Sequence, residues 1–223
     1  MEDTVCCPHS AAKMPASGRL KGKKALDLIK LANSDNTMQR SVGVAVLNAF
    51  SSLKIKEEGI KGATVMKGAD ALDVIEITRD DRVAMVGAFV PFIKKLKGIS
   101  EELYIIDKHL QALKEEECHM WRSPASTGDI IPQADVVIIT GSAMIEGGLD
   151  ELLSACTRAR EIVIAGPTAS AWPEPFFKKG VTVMGGIFIN NPDKLLQIVG
   201  EGGSGYFFTG SARKIAIVRK RAT

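Results

Sequence analysis

The sequence predicts an α/β fold that is built around a mainly parallel β-sheet, and two observations support this prediction. The first is residues 135–148, where an apolar and mostly β-branched run at residues 136–139 precedes a turn of small residues. Such a run is typical of a strand that is covered on both faces, as in a parallel sheet. A helix is predicted directly after the turn, because four apolar residues have the spacing of one helix face: Leu149, Leu152, Leu153 and Cys156.

The second observation is that this strand-and-turn pattern recurs along the chain. Residues 83–87, 161–167 and 181–186 each form an apolar run that leads into a turn with glycine. Helices are predicted after the first run, from the spacing of Phe89, Phe92, Ile93 and Leu96, and at residues 193–199. Strands that alternate with helices imply βαβ units and therefore a mainly parallel sheet.

The N-terminal part differs from the rest in composition and predicts separate units. Residues 1–24 are polar and irregular, as in a flexible tail. Residues 41–50 are apolar almost throughout, which predicts a buried helix in a small N-terminal domain. Residues 51–67 are charged and contain glycine, as in a connection. A polar turn near residue 80 ends this domain, so we predict a tail at 1–24, a small domain at 25–80 and a larger domain at 81–223.

The composition argues against several classes of partner. Hydrophobic residues make up 45% and charged residues 25% of the 223 residues, as in ordinary globular proteins. The net charge of +3 gives no argument for nucleic-acid binding. We identify neither an apolar run of the ~20 residues that cross a membrane nor a secretory leader. The four cysteines suggest no disulfide framework. We therefore expect a cytoplasmic protein with no membrane partner.

Small and polar residues follow several of the predicted strands. Ligands of open α/β sheets bind just beyond the carboxyl ends of the strands, so these residues are the candidate ligand contacts. They are Gly87, Thr140, Gly141, Ser142, Gly166, Pro167, Thr168 and Ser170. Asn48, in the predicted N-terminal helix, either faces the same site or is a core or capping amide, since a buried amide needs a partner.

The turn after the first strand of the larger domain argues against an ordinary dinucleotide site. Such a site uses Gly-x-Gly-x-x-Gly, whereas residues 87–91 contain one glycine. Asp107 follows the second strand, where a ribose-binding carboxylate would lie, but a solvated strand-end residue is the favoured interpretation.

Three groups of residues are candidates for metal binding or catalysis. Glu146 follows the central turn and is either a base or hard metal ligand, or an acid that complements the helix dipole. Cys118 and His119 either bind a transition metal with partners from elsewhere, or belong to a short strand that buries Cys118 and Met120. The pattern Cys6-Cys7-Pro8-His9 is interpreted as an incidental part of the tail rather than a ligand cluster.

The C-terminal region contains a glycine-rich segment and two apolar runs. Residues 200–205 are interpreted as a linker, because the Gly-Lys-Ser/Thr ending of a phosphate-binding loop is missing. Residues 206–208 and 215–218 are predicted to form short terminal strands, with a hairpin at the sheet edge as one arrangement.

Three stretches together resemble a known family. They are residues 81–92 (DRVAMVGAFVPF), residues 134–143 (ADVVIITGSA), and residues 165–170 (AGPTAS) with residues 173–175 (PEP) and 180–186 (GVTVMGG). The chain is similar here to the "putative heavy-metal chelation" family of small prokaryotic proteins. The resemblance implies an enolase-N-terminal-like domain, a Rossmann-like domain and a cleft between them. Glu146 and Gly148 depart from the family's usual Asn and Thr.

The resemblance implies that the cleft binds or chelates a divalent transition or heavy metal, or a small molecule that itself binds metal. An enzyme that uses Glu146 as acid or base on a small anionic or nucleotide-like substrate is the alternative. A third class is an oligomeric accessory protein without chemistry, and a homo-oligomer is left open. The sequence contains no established catalytic signature from which a reaction could be named.

Overall fold

The structure is a computed structural model, and it describes residues 14–220. Its strands are β1 (Ala63–Lys67), β2 (Arg82–Val86), β3 (Glu102–Ile106), β4 (Trp121–Arg122), β5 (Val136–Thr140), β6 (Glu161–Ala165), β7 (Val183–Ile189) and β8 (Ala212–Arg219). Its α-helices are α1 (Ala25–Ile29), α2 (Thr37–Glu58), α3 (Val90–Leu96), α4 (Thr127–Ile130), α5 (Ala143–Glu146), α6 (Leu149–Ala155), α7 (Glu174–Lys178) and α8 (Pro192–Gly200). Short 3-10 helices occupy several connections. No helix within residues 14–220 is both long enough and apolar enough to cross a membrane.

Within the described residues, the eight strands form one sheet with the order β1-β8-β7-β6-β5-β2-β3-β4. The six strands from β7 to β4 are parallel, and β8 is antiparallel to both β7 and β1. The chain runs outward from β2 to β3 and β4 in one direction, and from β5 to β6 and β7 in the other. This is the doubly wound order of a Rossmann-like fold, and the predicted fold class is confirmed.

The central strands are buried on both faces, as their apolar runs predict. In β5, Val136 and Ile138 pack into the core cluster that contains residues of α3. Val137 and Ile139 pack into the opposite cluster, which contains residues of α2 and α6. All four side chains are fully buried. The sheet therefore separates two hydrophobic cores, each covered by its own set of helices.

Helix α2 confirms the predicted helix at residues 41–50 and extends it in both directions. The Asn36 side chain caps its N-terminus, because Oδ1 accepts hydrogen bonds from the backbone N–H of Met38 and Gln39 at 3.0 and 3.1 Å. Gly43 brings the helix against the preceding segment, where a Cβ atom would lie 2.0 Å from the Ala32 nitrogen. Two side chains of α2 reach the strand-end loops, since Arg40 Nη1 donates to the Ile145 carbonyl at 2.9 Å and Asn48 Nδ2 donates to the Thr168 carbonyl at 2.7 Å.

The prediction of a connection at residues 51–67 is wrong. Helix α2 continues to Glu58, and residues 63–67 form β1, which pairs with β8 in the same sheet as the larger predicted domain. The helical signal is weak here because most side chains of the last turns are exposed, with Ser51 and Ile55 the buried positions of this part. The domain division at residue 80 stays a prediction. Residues 1–13 of the predicted tail, with Cys6, Cys7 and His9, lie outside the described residues.

The prediction for the C-terminal region is wrong in two respects. Gly205–Phe207 forms a 3-10 helix rather than a strand, and it leaves the Tyr206 and Phe207 side chains exposed. Residues 215–218 do belong to a strand, β8, but it lies between β7 and β1 instead of at the sheet edge. The N-terminal part of the chain supplies the outer strand, and a pairing across such a distance in sequence leaves no local pattern.

Candidate functional site

The turns after β2 and β5 lie side by side at the point where the strand order changes direction, which is where such sheets bind ligands. Gly87 has φ +91°, and a Cβ atom there would lie 3.0 Å from Thr140 Cβ. A Cβ atom on Gly141 would lie 2.7 Å from the Ala169 nitrogen and 3.1 Å from the carbonyl carbon of Thr168. These glycines therefore admit neighbouring parts of the protein, and the centre of the strand-end region is closed.

The carboxylate of Asp107 is engaged by the backbone. Its Oδ2 accepts a hydrogen bond from the Ala88 N–H at 2.9 Å, and its Oδ1 accepts one from the His109 N–H at 2.9 Å. Asp107 thus ties the end of β3 to the turn after β2, a role that neither the solvated interpretation nor ribose binding describes.

A cavity of about 570 Å³, which we call the strand-end pocket, opens beside the closed centre. It lies between the turns after β2 and β6, strand β7, residues 69–71 and the segment that leads into β8. Its lining consists of Ala69, Asp70, Ala71, Ala88, Phe89, Pro91, Phe92, Gly166, Pro167, Gly185, Gly186, Ile187, Ser204, Gly205, Tyr206, Phe208, Thr209, Gly210, Ala212, Lys214 and Ile215. Most of these side chains are apolar or aromatic, and the volume falls in the range of small-molecule sites.

The aromatic wall of the strand-end pocket is built by the start of α3. The rings of Phe89 and Phe92 are stacked with centroids 5.3 Å apart. Gly166 has φ +114°, and a Cβ atom there would lie 3.5 Å from the Phe89 ring. Glycine at this position lets the turn after β6 keep its left-handed backbone while the ring lies close above it.

Two charged side chains line the strand-end pocket, and they form an ion pair. Lys214 Nζ lies 2.5 Å from Asp70 Oδ2, and Asp70 Oδ1 accepts a hydrogen bond from the Ala71 N–H at 2.7 Å. The Asp70 side chain is 17% exposed and that of Lys214 is 62% exposed. The lysine end can therefore reach a polar group of a ligand, while the carboxylate is held by the start of the 3-10 helix.

A second and smaller cavity, of about 280 Å³, lies between α2 and the loop after β6, and we call it the Asn48 cleft. Its lining consists of Ser41, Val44, Ala45, Asn48, Ala49, Ser52, Ile145, Pro167, Thr168, Ser170, Ile187 and Ile189. Asn48 Nδ2 donates a hydrogen bond to the Thr168 carbonyl at 2.7 Å, whereas Oδ1 is buried and has no partner within residues 14–220. Asn48 therefore does face a cavity beside the strand ends.

Ser170 has a structural role at the floor of the Asn48 cleft. Its hydroxyl donates to the Pro167 carbonyl at 2.8 Å and accepts a hydrogen bond from the Ile187 N–H at 3.0 Å. A Cβ atom on Gly186 would lie 2.7 Å from this hydroxyl oxygen. Ser170 thus fixes the loop after β6 to β7, and both of its hydrogen-bonding functions are used.

Ser142 and Glu146 lie outside the linings of both cavities, as the described residues form them. The Ser142 N–H donates to Thr140 Oγ1 at 3.3 Å, so it belongs to the central turn. Glu146 ends α5 with an exposed side chain, and its Oε2 lies 2.5 Å from Lys108 Nζ. A carboxylate that is exposed to solvent and paired with lysine lacks the sheltered position of a catalytic base.

Glu146, Cys118 and His119 are not assembled into a metal site. Across residues 14–220, no group of three or more His, Cys, Asp or Glu side chains is arranged to hold a metal ion. Cys118 lies in a 3-10 helix rather than a strand, with its thiol 3.3 Å from the Lys114 carbonyl. Cys156 is buried, and this burial raises the pKa of its thiol to about 11. Its sulfur therefore stays protonated and is a poor metal ligand at neutral pH.

The sequence prediction missed the residues that form most of the strand-end pocket. Tyr206 and Phe208 were assigned to a strand, and Asp70 and Lys214 were not singled out. One sequence feature could have indicated these residues. An aromatic run comes directly after the glycine-rich residues 200–205, a pattern that is typical of an exposed loop beside a binding site. Gly166 and Pro167 are the predicted contacts that line this pocket. Asn48, Pro167, Thr168 and Ser170 line the Asn48 cleft.

Comparisons with known proteins agree with the fold and with the resemblance seen in the sequence. Two family models match the chain, one over residues 70–218 and one over residues 3–51, and both are described as "Putative heavy-metal chelation". An uncharacterized protein of Methanocaldococcus jannaschii is 28% identical over 195 residues, which are 86% of this chain and 71% of that protein.

Two solved structures have a similar fold. One is a protein of unknown function from Pyrococcus horikoshii, with a TM-score of 0.75 and 26% identity over 88% of this chain and 76% of that one. The other, from Desulfitobacterium hafniense, has a TM-score of 0.73 and 21% identity over 92% of this chain and 77% of that one. Both are described as proteins with unknown function, so they support the fold and leave the ligand open.

Proposed function

The chain belongs to the family described as "Putative heavy-metal chelation", and on that premise we propose that it binds a small organic molecule that can carry a metal ion. The binding site is the strand-end pocket. With the predicted boundary at residue 80, this pocket is a cleft between the two predicted domains, because Ala69, Asp70 and Ala71 line one side and later residues line the rest.

The observation that carries the proposal is the mismatch between the cavity and a bare metal ion. Heavy and transition metals prefer thiolate and imidazole ligands, usually three or four of them. The strand-end pocket offers instead aromatic rings, glycine backbone and one lysine–carboxylate pair. Residues 14–220 therefore do not fit a metal that the protein alone would coordinate, but they do fit an organic molecule that brings its own donor atoms.

Each part of the lining has a role in binding such a molecule. The rings of Phe89 and Phe208 offer flat apolar surface to a ring or chain of the ligand, and burying apolar area stabilises the complex by roughly 25 cal/mol per Å². The Lys214 ammonium lies at the wall and donates hydrogen bonds to an anionic or carbonyl oxygen. The lining thus favours planar, partly apolar molecules that carry oxygen donors.

The alternative enzyme function has less support. It requires Glu146 as acid or base, but this side chain is exposed, is paired with Lys108 and lies outside the lining of the strand-end pocket as the described residues form it. Metal chelation by side chains alone would require donors from outside residues 14–220.

The proposal is tested by thermal-shift titrations with ZnCl₂ alone, with 8-hydroxyquinoline alone, and with both together. We expect stabilisation whenever the chelator is present, of about 2.7 kcal/mol at one hundred times its dissociation constant. ZnCl₂ alone should give no shift. The titrations are repeated on a Cys6→Ser, Cys7→Ser, His9→Ala variant, so that donors outside the described residues do not decide the result.

A matched pair of variants locates the site. Phe208→Ala removes part of the pocket wall and should weaken chelator binding about tenfold or more, since truncating a buried aromatic contact typically costs 1–3 kcal/mol or more. Phe207→Ala is the control, because the neighbouring ring is 65% exposed and does not line the pocket. Stoichiometric zinc in the triple variant without any organic molecule, measured by elemental analysis, would contradict the proposal.

A further inference from the structure

Strand β1 ends the sheet on one side, as the described residues form it, and its pairing with β8 determines which backbone groups face outward. The Gly68 N–H donates to the Lys214 carbonyl at 2.8 Å, and the Lys220 N–H donates to the Gly62 carbonyl at 2.8 Å. In an antiparallel pair, successive residues direct their N–H and C=O groups alternately toward and away from the neighbouring strand. The even-numbered residues of β1 therefore bond to β8, and the odd-numbered ones direct these groups outward.

The sequence and register of β1 suit its outward edge to further pairing. Natural edge strands are often protected by proline, by a bulge or by several charged side chains. β1 (ATVMK) contains no proline, pairs with β8 in continuous register over all five of its residues and carries one charge, on Lys67. The side chains of Thr64, Met66 and Lys67 are exposed. The strand can therefore accept another antiparallel strand on this side.

A second copy of β1 matches this edge when the two strands are antiparallel around a twofold axis at Val65. Such a pairing places Val65 opposite its own copy, Ala63 opposite Lys67, and Thr64 opposite Met66. The outward groups of the odd-numbered residues then face each other, so Val65 exchanges two hydrogen bonds with its copy. The Lys67 N–H faces the partner's Ala63 carbonyl. Within the paired strands no two like charges lie opposite each other, an arrangement that would destabilise the pairing.

The charges beside the edge are also complementary in this arrangement. Ile55 near the end of α2 and Ala63 at the start of β1 belong to one hydrophobic core cluster, so the end of α2 lies beside the start of β1. Lys67 is on the same face of β1 as Ala63, because alternate residues of a strand share a face. In the paired strands it lies on the side of the partner's α2 end, which carries Glu57 and Glu58 and the negative end of the helix dipole.

We propose that β1 is the interface of a homodimer, in which two copies of the chain pair their β1 strands antiparallel about Val65 and join their sheets into one continuous sheet. The partner is a second copy rather than an unrelated extended peptide, because the edge matches itself in hydrogen bonding and in charge. The dimer is measured without any ligand of the strand-end pocket, so its failure is distinguishable from failure of the proposed function.

Amide hydrogen exchange on the full-length ¹⁵N-labelled protein tests the two sides of β1 separately, and sedimentation velocity measures the mass in solution alongside. We expect a dimer in which the Val65 and Lys67 amides are protected, and faster exchange at both sites in the monomer. The Thr64 and Met66 amides, which bond to β8, should be protected in both states. A protein that is monomeric at NMR concentrations would overturn the proposal, as would a dimer whose Val65 and Lys67 amides exchange freely.

Charge reversals test the twofold arrangement. Lys67→Glu should weaken the dimer about tenfold, because two symmetry-related attractions become repulsions, and the double variant Glu57→Lys, Glu58→Lys should weaken it similarly. An equimolar mixture of these two proteins should form heterodimers as tight as the wild-type dimer, since both contacts are attractive again. Lys94→Glu, exposed on α3, is the control and should leave the dimer unchanged. A mixture with no preference for heterodimers would overturn the pairing about Val65.

Discussion

The two ends of the sheet are built by different kinds of contact. At the amino ends of β2, β5 and β6, charged side chains join neighbouring strands. At the carboxyl ends, the turns are joined by close approach of small residues, and both cavities open beside them. The comparison separates the part of the molecule that fixes the sheet from the part that can accommodate a ligand.

Asp81 and Arg160 are the main link at the amino ends. Arg160 Nη1 and Nη2 lie 2.5 and 2.7 Å from the two carboxylate oxygens, and Thr78 donates to Oδ2 through its N–H and its hydroxyl. Asp135 acts similarly, since its Oδ2 accepts from the Arg82 N–H at 3.0 Å. The Asp81 carboxylate is thus fully used by the protein, and Asp135 also has a partner for its second oxygen, since Arg158 Nη2 lies 3.0 Å from Oδ1.

At the carboxyl ends of the strands, the glycines of the central turns contact other parts of the protein. Glycine turns at strand ends are often interpreted as room for a ligand, but Gly87 and Gly141 are filled by Thr140 and by the backbone at Ala169. The two cavities lie to either side of the loop at residues 166–170, one beside the aromatic residues and the other beside helix α2. Whether a strand-end glycine leaves space for a ligand therefore depends on which group faces it in the fold, and not on its position in the sequence alone.

The largest expected effect is at the carboxyl ends, from Gly141→Ala. The new Cβ would meet backbone atoms of the loop after β6, which cannot move as a flexible side chain would, and we expect a loss of about 3 kcal/mol in the free energy of unfolding. Gly128→Ala is the control, because it is in a helix with nothing within 4 Å and should stabilise slightly. Chemical denaturation measures both. An equal response of the two variants would show that the turns are not in tight contact.

The next effect concerns the amino ends and depends on pH. The Arg160 guanidinium, together with the Thr78 hydrogen bonds, lowers the pKa of Asp81 from 3.8 to about 2 although burial opposes this. Because the folded-state pKa is depressed, the stabilisation is fully present above about pH 4 and is lost as the pH falls through about 2. The free energy of unfolding should therefore fall by about 2 kcal/mol when Asp81 becomes protonated.

Chemical denaturation of the wild-type protein and of Asp81→Asn between pH 5 and pH 2 measures this contribution. It is the difference between the two proteins in how steeply the free energy of unfolding changes with pH. Asp80→Asn, at the exposed neighbouring position, is the control and should retain the wild-type slope. If Asp81→Asn loses stability with pH as steeply as the wild-type protein, the ion pair is not what fixes the amino ends.

The smallest effect is expected for the exposed pair at the carboxyl ends. Lys108→Ala and Glu146→Gln should each change the free energy of unfolding by about 0.5 kcal/mol, because solvent and salt screen the pair. A double-mutant cycle measures the coupling, which should vanish at high salt. A coupling well above 1 kcal/mol that persists in salt would place Glu146 in a more protected site and revive its interpretation as a functional carboxylate.

Much of the fold was predictable from local patterns. The apolar run at residues 136–139 and the spacing that starts at Leu149 each indicated an element that the structure contains. The helix predicted at residues 193–199 is present as α8, and the Asn191 side chain at its start accepts from the Lys194 N–H. The last turns of α2 and strand β1 were not predictable in this way, because their exposed polar side chains outweigh the few buried ones.

The candidate sites were predictable only in part. The strand ends indicated the region beside which the two cavities open, and Asn48 was singled out because a buried amide needs a partner. The aromatic wall of the strand-end pocket depends on residues 69–71, 89–92 and 204–208, which are far apart in sequence and meet only in the fold. The candidate metal donors Glu146, Cys118 and His119 looked equally plausible in sequence, since side-chain type carries no information about distance.

The sequence by itself determined the alternation of strands and helices and the buried centre of the sheet, and it indicated the end of the sheet at which the two cavities open. These properties follow from hydrophobic periodicity and turn chemistry, which act over a few residues. Only the tertiary structure decided that β8 lies inside the sheet, that the central glycines are filled, and that the donors do not converge on a metal. These features depend on contacts between segments distant in sequence, and local patterns do not encode them.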